Sequence, residues 1–383
     1  MTKFNTRLVH APNPHDNNTG AVEVPIYKAT TFAYPSVGSQ VEYDYSRSGN
    51  PTRRAVEEQL ADLEQGQQAF VFSSGMAAIH AALALFKAGD HLIIGDQIYG
   101  GTFRILHQFF QKWGLEITAV DTRDPAAIEA AIQPNTKAIY FEPVTNPLLH
   151  VTSIQQVATI AHQHALLMIV DNTFLSPYLL QPITLGADIV IHSATKYLAG
   201  HSDVSAGAVI ARTPELAEQL YFVQNAIGSI LSPEDAHELA RGIKTLSLRL
   251  DRQIANAKRL INFLQQQPVV TIINYPGIPG QPGYEQLHQE ATEAGAVFSF
   301  ELDDQLVDAE AFVNHLKVFQ IAVSLGAVES LVELPSKMSH AELSPAEQLA
   351  AGITPTLIRI SVGIEDVTDL IEDIQQALAA AKK

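Results

Sequence analysis

The sequence predicts an α/β protein, with a mostly parallel central sheet covered by helices and a smaller α+β region at its C-terminal end. Two observations carry that expectation. From Arg53 to His192, short apolar segments alternate with helical ones, the pattern of crossover connections between parallel strands. Beyond Pro268 the chain changes to Gly- and Pro-rich turns, such as Tyr275-Pro276-Gly277-Ile278-Pro279-Gly280, followed by strands and a last helix.

Residues 1–52 are rich in Asn, Pro, Thr and Ser and show no regular period. They read as an arm that is either disordered or docked on a neighbour. Arg53 to Gln65 reads as an amphipathic helix ended by Gly66. Ala69 to Phe72 is a short apolar strand, and Ser73-Ser74-Gly75 turns into an Ala-rich helix expected to reach about Lys87. Further strands are expected at His91 to Gly95, Leu115 to Val120, Ala138 to Glu142, Leu167 to Asp171 and Ile189 to His192. Helices fall between them over Thr102 to Trp113, Pro125 to Ile132 and Ile154 to His164. Pro233 to Gln267 reads as one long helical stretch linking two domains, and Pro268 breaks it. Strands at Val297 to Leu302 and Leu357 to Val362 and a helix from about Glu365 complete the smaller region. The expected division is an arm over 1–52, a main domain over 53–245 and a C-terminal domain over 246–383.

With 383 residues the chain is too long for one compact core. A net charge of −17 repels phosphate backbones and anionic lipid, so neither nucleic acid nor membrane is an expected partner. The absence of cysteine excludes disulfides and thiolate metal sites. The first residues lack an apolar signal core, and no run approaches the roughly 18 apolar residues that span a bilayer. A soluble cytoplasmic protein is the expectation.

In parallel sheets ligands gather beyond the carboxyl ends of the strands, and Glu142, Asp171 and Ser193 fall there. Lys196, in Ser193-Ala194-Thr195-Lys196-Tyr197, follows a buried strand and is flanked by hydroxyls. Alone it would be a surface loop lysine. With Asp171 upstream it suits an aldehyde cofactor: lysine forms a Schiff base and an aspartate pairs with a ring nitrogen. Ser74-Gly75-Met76 opens a helix after a strand, where free N–H groups suit a phosphate, although the plain reading is an N-cap. Tyr99 precedes Gly100-Gly101 and could stack on a planar ring. His162 and His164 are spaced like metal ligands but lie on a helix without carboxylates, so no metal site is expected.

Together these residues carry a family resemblance. Tyr45-Ser46-Arg47-Ser48-Gly49-Asn50-Pro51-Thr52, Tyr99-Gly100-Gly101-Thr102, Glu142-Pro143-Val144-Thr145-Asn146-Pro147, Asp171-Asn172-Thr173, His192 to Tyr197 and Ser324-Leu325-Gly326-Ala327-Val328-Glu329-Ser330-Leu331 resemble the transsulfuration (Cys/Met metabolism) family of fold-type I pyridoxal-phosphate (PLP) enzymes. The resemblance spans essentially the whole chain. It implies the fold-type I PLP-dependent transferase fold, PLP as cofactor and a homotetramer of two catalytic dimers. Lys196 would hold the cofactor and move protons, and Asp171 would pair with its ring nitrogen. Gly75, Met76, Ser193 and Thr195 would hold its phosphate, and Tyr99 would stack on its ring and assist proton transfer. Arg359 would bind the substrate α-carboxylate, with Asn146 and Ser324 lining the same pocket. Tyr45 and Arg47 would reach the phosphate of the neighbouring subunit, and Arg104 would meet a distal carboxylate. Val323 stands where many synthases, and some γ-lyases, of the family carry glutamate. The expected reaction is α,γ-elimination of cystathionine with side activity on homocysteine or cysteine. The alternatives are synthesis of cystathionine, its β-elimination, or a non-catalytic PLP-binding relative.

Overall fold

The computed structural model describes residues 2–10, 12, 15, 16 and 18–383. Seven strands form the larger sheet: β1 (Gln68–Phe72), β2 (His91–Gly95), β3 (Glu116–Val120), β4 (Thr136–Phe141), β5 (Leu167–Asp171), β6 (Ile189–His192) and β7 (Gly207–Ala211), in the spatial order β1-β7-β6-β5-β4-β2-β3. All neighbours are parallel except β7, which runs against both β6 and β1. The strands are almost wholly apolar because helices cover both faces. Ile169, Ile191 and Val209 face the helix Gly75–Leu83, while Val170, Val190 and Ile210 face the core shared with the C-terminal region.

A second sheet comprises β8 (Val270–Asn274), β9 (Val297–Leu302), β10 (Gln320–Ile321), β11 (Leu331–Glu333) and β12 (Leu357–Ser361), in the order β10-β11-β12-β9-β8. The mostly parallel main sheet and the smaller mixed region agree with the expected α/β class.

Several expected elements differ. The long stretch after Pro233 is two helices, Pro233–Ile243 and Leu246–Leu264. The break is stabilised at Gly242, whose carbonyl accepts from Thr245 Oγ1 and from the buried Arg249 guanidinium. The helix at Gly75 ends at Leu83, not near Lys87, and passes into tight turns closed by Leu85 N–H to Ala82 and Phe86 N–H to Leu83. The next helix after the arm starts at Pro51 rather than Arg53, because Asn50 caps it by accepting from the backbone N–H of Thr52 and Arg53. Strand β7 and the helix Pro214–Ile227 escaped sequence reasoning, as did β8, β10 and β11. The start of the arm is itself folded: Phe4–Val9 is helical, buries Leu8, and lies on the helix Pro51–Glu64 through Arg7–Asp62 (2.7 Å) and Gln59 Nε2 to the Leu8 carbonyl.

Candidate active site

The reversal from β6 to the antiparallel β7 creates a loop over 193–206 at the carboxyl end of the sheet. Lys196 lies in it. Its Nζ donates to Ser324 Oγ at 2.7 Å, joining this loop to the C-terminal region. Burial and the neighbouring Arg359 cation push the Lys196 pKa down to about 8, with Glu333 opposing. A lysine so placed offers a neutral, nucleophilic amine close to neutral pH.

Asp171 ends β5 and is buried. Its Oδ1 accepts from the Thr173 N–H (3.1 Å) and hydroxyl (2.6 Å), and Tyr140 donates to Oδ2 at 3.3 Å. Burial nevertheless pushes the carboxyl above its ordinary value, against the hydrogen bonds from Thr173. No lysine or arginine pairs with it among the described residues. Glu142, beyond β4, is also buried; burial and the Asp171 charge drive it well upward, and its Oε1 accepts the Tyr99 N–H at 2.6 Å. A buried carboxylate with no fixed cation is the acceptor to which a protonated ring nitrogen can donate.

The phosphate candidates surround the start of the helix Gly75–Leu83, which Ser74 caps by accepting the Ala77 N–H. A Cβ on Gly75 would lie 2.9 Å from Ser193 Oγ, so the bare backbone is what lets helix and loop meet. A Cβ on Gly101 would strike both the Tyr99 ring (2.4 Å) and Met76 Sδ (2.6 Å), which places Tyr99 and Met76 side by side. Thr195 is partly committed: its hydroxyl donates to the Ala206 carbonyl and accepts the Ala206 N–H. Gly75, Met76, Ser193, Tyr99, Asp171 and Lys196 thus form a set that fits PLP: an amine for the aldehyde, a carboxylate for the ring nitrogen, an aromatic face, and a helix start for the phosphate.

Arg359 enters from β12, 4% exposed on its side chain. Its Nη1 donates to Asn146 Oδ1 (3.0 Å) and pairs with Glu333 Oε1 (2.9 Å), and its Nη2 donates to the Ser324 carbonyl (2.5 Å). Arg359 Nε and Glu333 Oε2 are buried without a hydrogen-bond partner among the described residues. Such a fork suits bidentate capture of a carboxylate. Ser324 holds φ at +106°, a conformation rare for a residue with a side chain. Nearby, Gly326 (φ +81°) could not carry a Cβ without approaching Tyr197 N to 2.7 Å.

Three expected site residues lie apart. Arg47 Nη1 donates to the Asn225 carbonyl (2.5 Å) and side chain (2.8 Å), with its guanidinium near the exposed Tyr45 ring. Neither contacts Lys196 or Gly75 of its own chain in any hydrogen bond or ion pair described. Arg104, on the helix Gly100–Ile105, is half-exposed and pairs with Glu342 at 3.0 Å. Sequence reasoning assigned no role to Glu333, Tyr140 or Thr173. The signal for Glu333 was a lone charge within the apolar run Leu331-Val332-Glu333-Leu334; for Thr173 it was the hydroxyl two residues after an aspartate, an Asx-turn pattern.

The family model for Cys/Met metabolism PLP-dependent enzymes matches residues 5–379. The chain is 49% identical over 377 residues to the cystathionine gamma-lyase of Bacillus subtilis strain 168, covering 98% of this chain and 99% of the relative. It is 48% identical over 378 residues to the cystathionine beta-lyase of Lactococcus lactis subsp. cremoris MG1363, covering 99% of each. The crystal structure of cystathionine gamma-lyase from Lactobacillus plantarum complexed with L-serine superposes with a TM-score of 0.97, at 48% identity and with full coverage of both chains. Similarity to a γ-lyase and to a β-lyase is therefore nearly equal.

Proposed function

We propose that this chain, which belongs to the Cys/Met metabolism family of PLP-dependent enzymes, catalyses the α,γ-elimination of L-cystathionine to cysteine, 2-oxobutanoate and ammonia. The observation that carries the reading is a pair of arginines at two depths, Arg359 buried and Arg104 at the rim, for an amino acid with a carboxylate at each end.

Bound PLP supplies an electrophilic aldehyde and a protonated ring that draws electrons from the substrate α-carbon. Lys196 Nζ would hold the aldehyde, and Asp171 would hold the ring nitrogen in its protonated form. Gly75, Met76, Ser193 and Thr195 would take the phosphate, and Tyr99 would cover the ring. Arg359 takes the substrate α-carboxylate, oriented by Asn146, Glu333 and the Ser324 carbonyl. Lys196 Nζ would act as the base that takes the α-proton and, after passing it on, a proton from the β-carbon, whose bonding electrons let the γ-carbon–sulfur bond break with its pair leaving on sulfur. Tyr99 would also assist proton transfer. Val323, 56% exposed, brings no charge beside Ser324, which favours cleavage over the synthase reaction. Smaller thiol amino acids such as homocysteine would be side substrates.

The boundary between main and C-terminal domains is placed at the helix break near 245. Tyr45 and Arg47 are proposed to act in trans, in a homotetramer of two catalytic dimers. Mixing inactive Lys196→Ala and Arg47→Ala chains should restore part of the activity; none after verified subunit exchange would refute the shared site. Product analysis with cystathionine tests the reaction itself. Cysteine with 2-oxobutanoate is expected, whereas homocysteine with pyruvate would establish β-cleavage.

A further inference from the structure

Between β11 and β12 the chain makes a long excursion over 334–356 that touches the environment of both arginines. Ser339 Oγ donates to Glu333 Oε1 at 2.8 Å, the same oxygen that pairs with Arg359. His340 follows, its ring held below the ordinary histidine value by burial and by the Arg359 charge. Two residues on, both carboxylate oxygens of Glu342 accept from Arg104 Nη1, at 3.0 and 3.1 Å. One short stretch therefore lies against the deep arginine at one end and is tied to the rim arginine at the other. The rim tie is a carboxylate on an arginine, the same contact the proposed function assigns to a substrate's distal carboxylate.

We propose that Glu342 is a specificity-determining residue: an internal carboxylate that holds Arg104 in the free enzyme and yields it to the distal carboxylate of a dicarboxylic sulfur amino acid. This deepens the proposed function and rests on it. The pair is 46% and 79% exposed on its two side chains, and exposed pairs of this kind shift an equilibrium by only about 1.4- to 5-fold, so displacement is easy. A ligand shifts a two-state element only as far as it binds the two states differently. A substrate without a distal carboxylate has no claim on Arg104 and leaves the tie closed. A dicarboxylic substrate releases it and frees the stretch around Ser339 and His340.

The test compares holoenzyme variants on cystathionine and homocysteine, with hydrogen exchange at the 339–343 amides as a second readout. Glu342→Gln should lower KM for cystathionine about two- to five-fold at unchanged kcat, leave homocysteine kinetics alone, and speed exchange by a similar factor. Arg104→Ala should speed exchange alike while losing cystathionine selectively. An unchanged or raised cystathionine KM in Glu342→Gln, with Arg104→Ala still selective, overturns this inference alone. An equal gain on both substrates also overturns it, because the stretch would then obstruct the site without reading a carboxylate. Equal losses on both substrates in Arg104→Ala would overturn the underlying role of Arg104.

Discussion

Arg359 and Arg104 are the same side chain in two physical settings. Arg359 is buried and fixed by three partners from three parts of the chain, Asn146, the Ser324 carbonyl and Glu333. Arg104 is half-exposed and has one carboxylate from a surface stretch. Coulomb attraction is weak and screened by salt at the rim and much stronger in the buried setting. The deep arginine can therefore impose one orientation on every substrate, while the rim arginine can only choose among them. Features common to all substrates belong where alternatives are costly; features that distinguish substrates belong where exchange is cheap.

The largest effect is expected at the floor of the site. Lys196→Ala should fold, lose the absorbance of lysine-bound cofactor, and lose turnover by about 10²- to 10⁴-fold; near-wild-type activity would remove Lys196 from the chemistry. Arg359→Leu comes next. Truncating one partner of a buried, hydrogen-bonded charge pair costs about 2–5 kcal/mol, so kcat/KM should fall roughly 30- to several-thousand-fold on every substrate. Glu333, left buried without its cation, should also lower Tm, and Glu333→Gln in the same chain should recover part of that. A loss confined to cystathionine would erase the distinction between the two arginines. At the rim, Arg104→Ala should lower kcat/KM for cystathionine by about 10- to 150-fold, the worth of one charge-assisted hydrogen bond, and spare homocysteine.

The smallest expected effect sharpens the account of Lys196. Its pKa is depressed to about 8 from 10.5, so the folded chain releases this proton at lower pH than the unfolded one. Cofactor capture by the apo chain, which needs the neutral amine, should rise with pH through about 8. In the window from about 8 to 10.5 the unfolded chain binds more protons at this residue, so the Lys196 contribution to apo stability should increase with pH. Glu333→Gln, which removes the charge holding the value up, should move the capture midpoint lower. An unmoved midpoint would mean that Glu333 acts on Arg359 alone.

The parallel part of the main sheet was legible because its strands are short apolar runs, most of them separated by helical segments such as Ile154–Gln163. Asp171, Ser193 and Lys196 were legible only in combination: each past a strand end has a plain reading alone, and together they match a lysine, a carboxylate and hydroxyls around one cofactor. What escaped depends on distant partners. Strand β7 reads only as Gly-Ala-Val-Ile-Ala, and nothing local says that it runs against β6. The two helices after Pro233 share one continuous apolar period, and their separation depends on Arg249 reaching back to Gly242. The geometry joining Ser324 and Arg359 to Lys196 is likewise long-range: Ser324 is 128 residues from the lysine it touches. The arm over 1–52 has no regular period and reads as disordered or docked on a neighbour, yet Leu8 is buried against the helix Pro51–Glu64 of the same chain.

The place of β7 has a consequence for synthesis on the ribosome. β1 emerges early and exposes the run Ala69-Phe70-Val71-Phe72, yet its sheet partner is β7, with Phe72 facing Gly207 and Ala69 facing Ile210. At roughly 5–20 residues per second, translating the intervening chain takes on the order of ten seconds. For that time a nascent apolar strand has no edge to join. Such a segment invites capture by chaperones or pairing with another nascent copy, so slowing translation between β1 and β7 should lower soluble yield more than slowing it after Ala211.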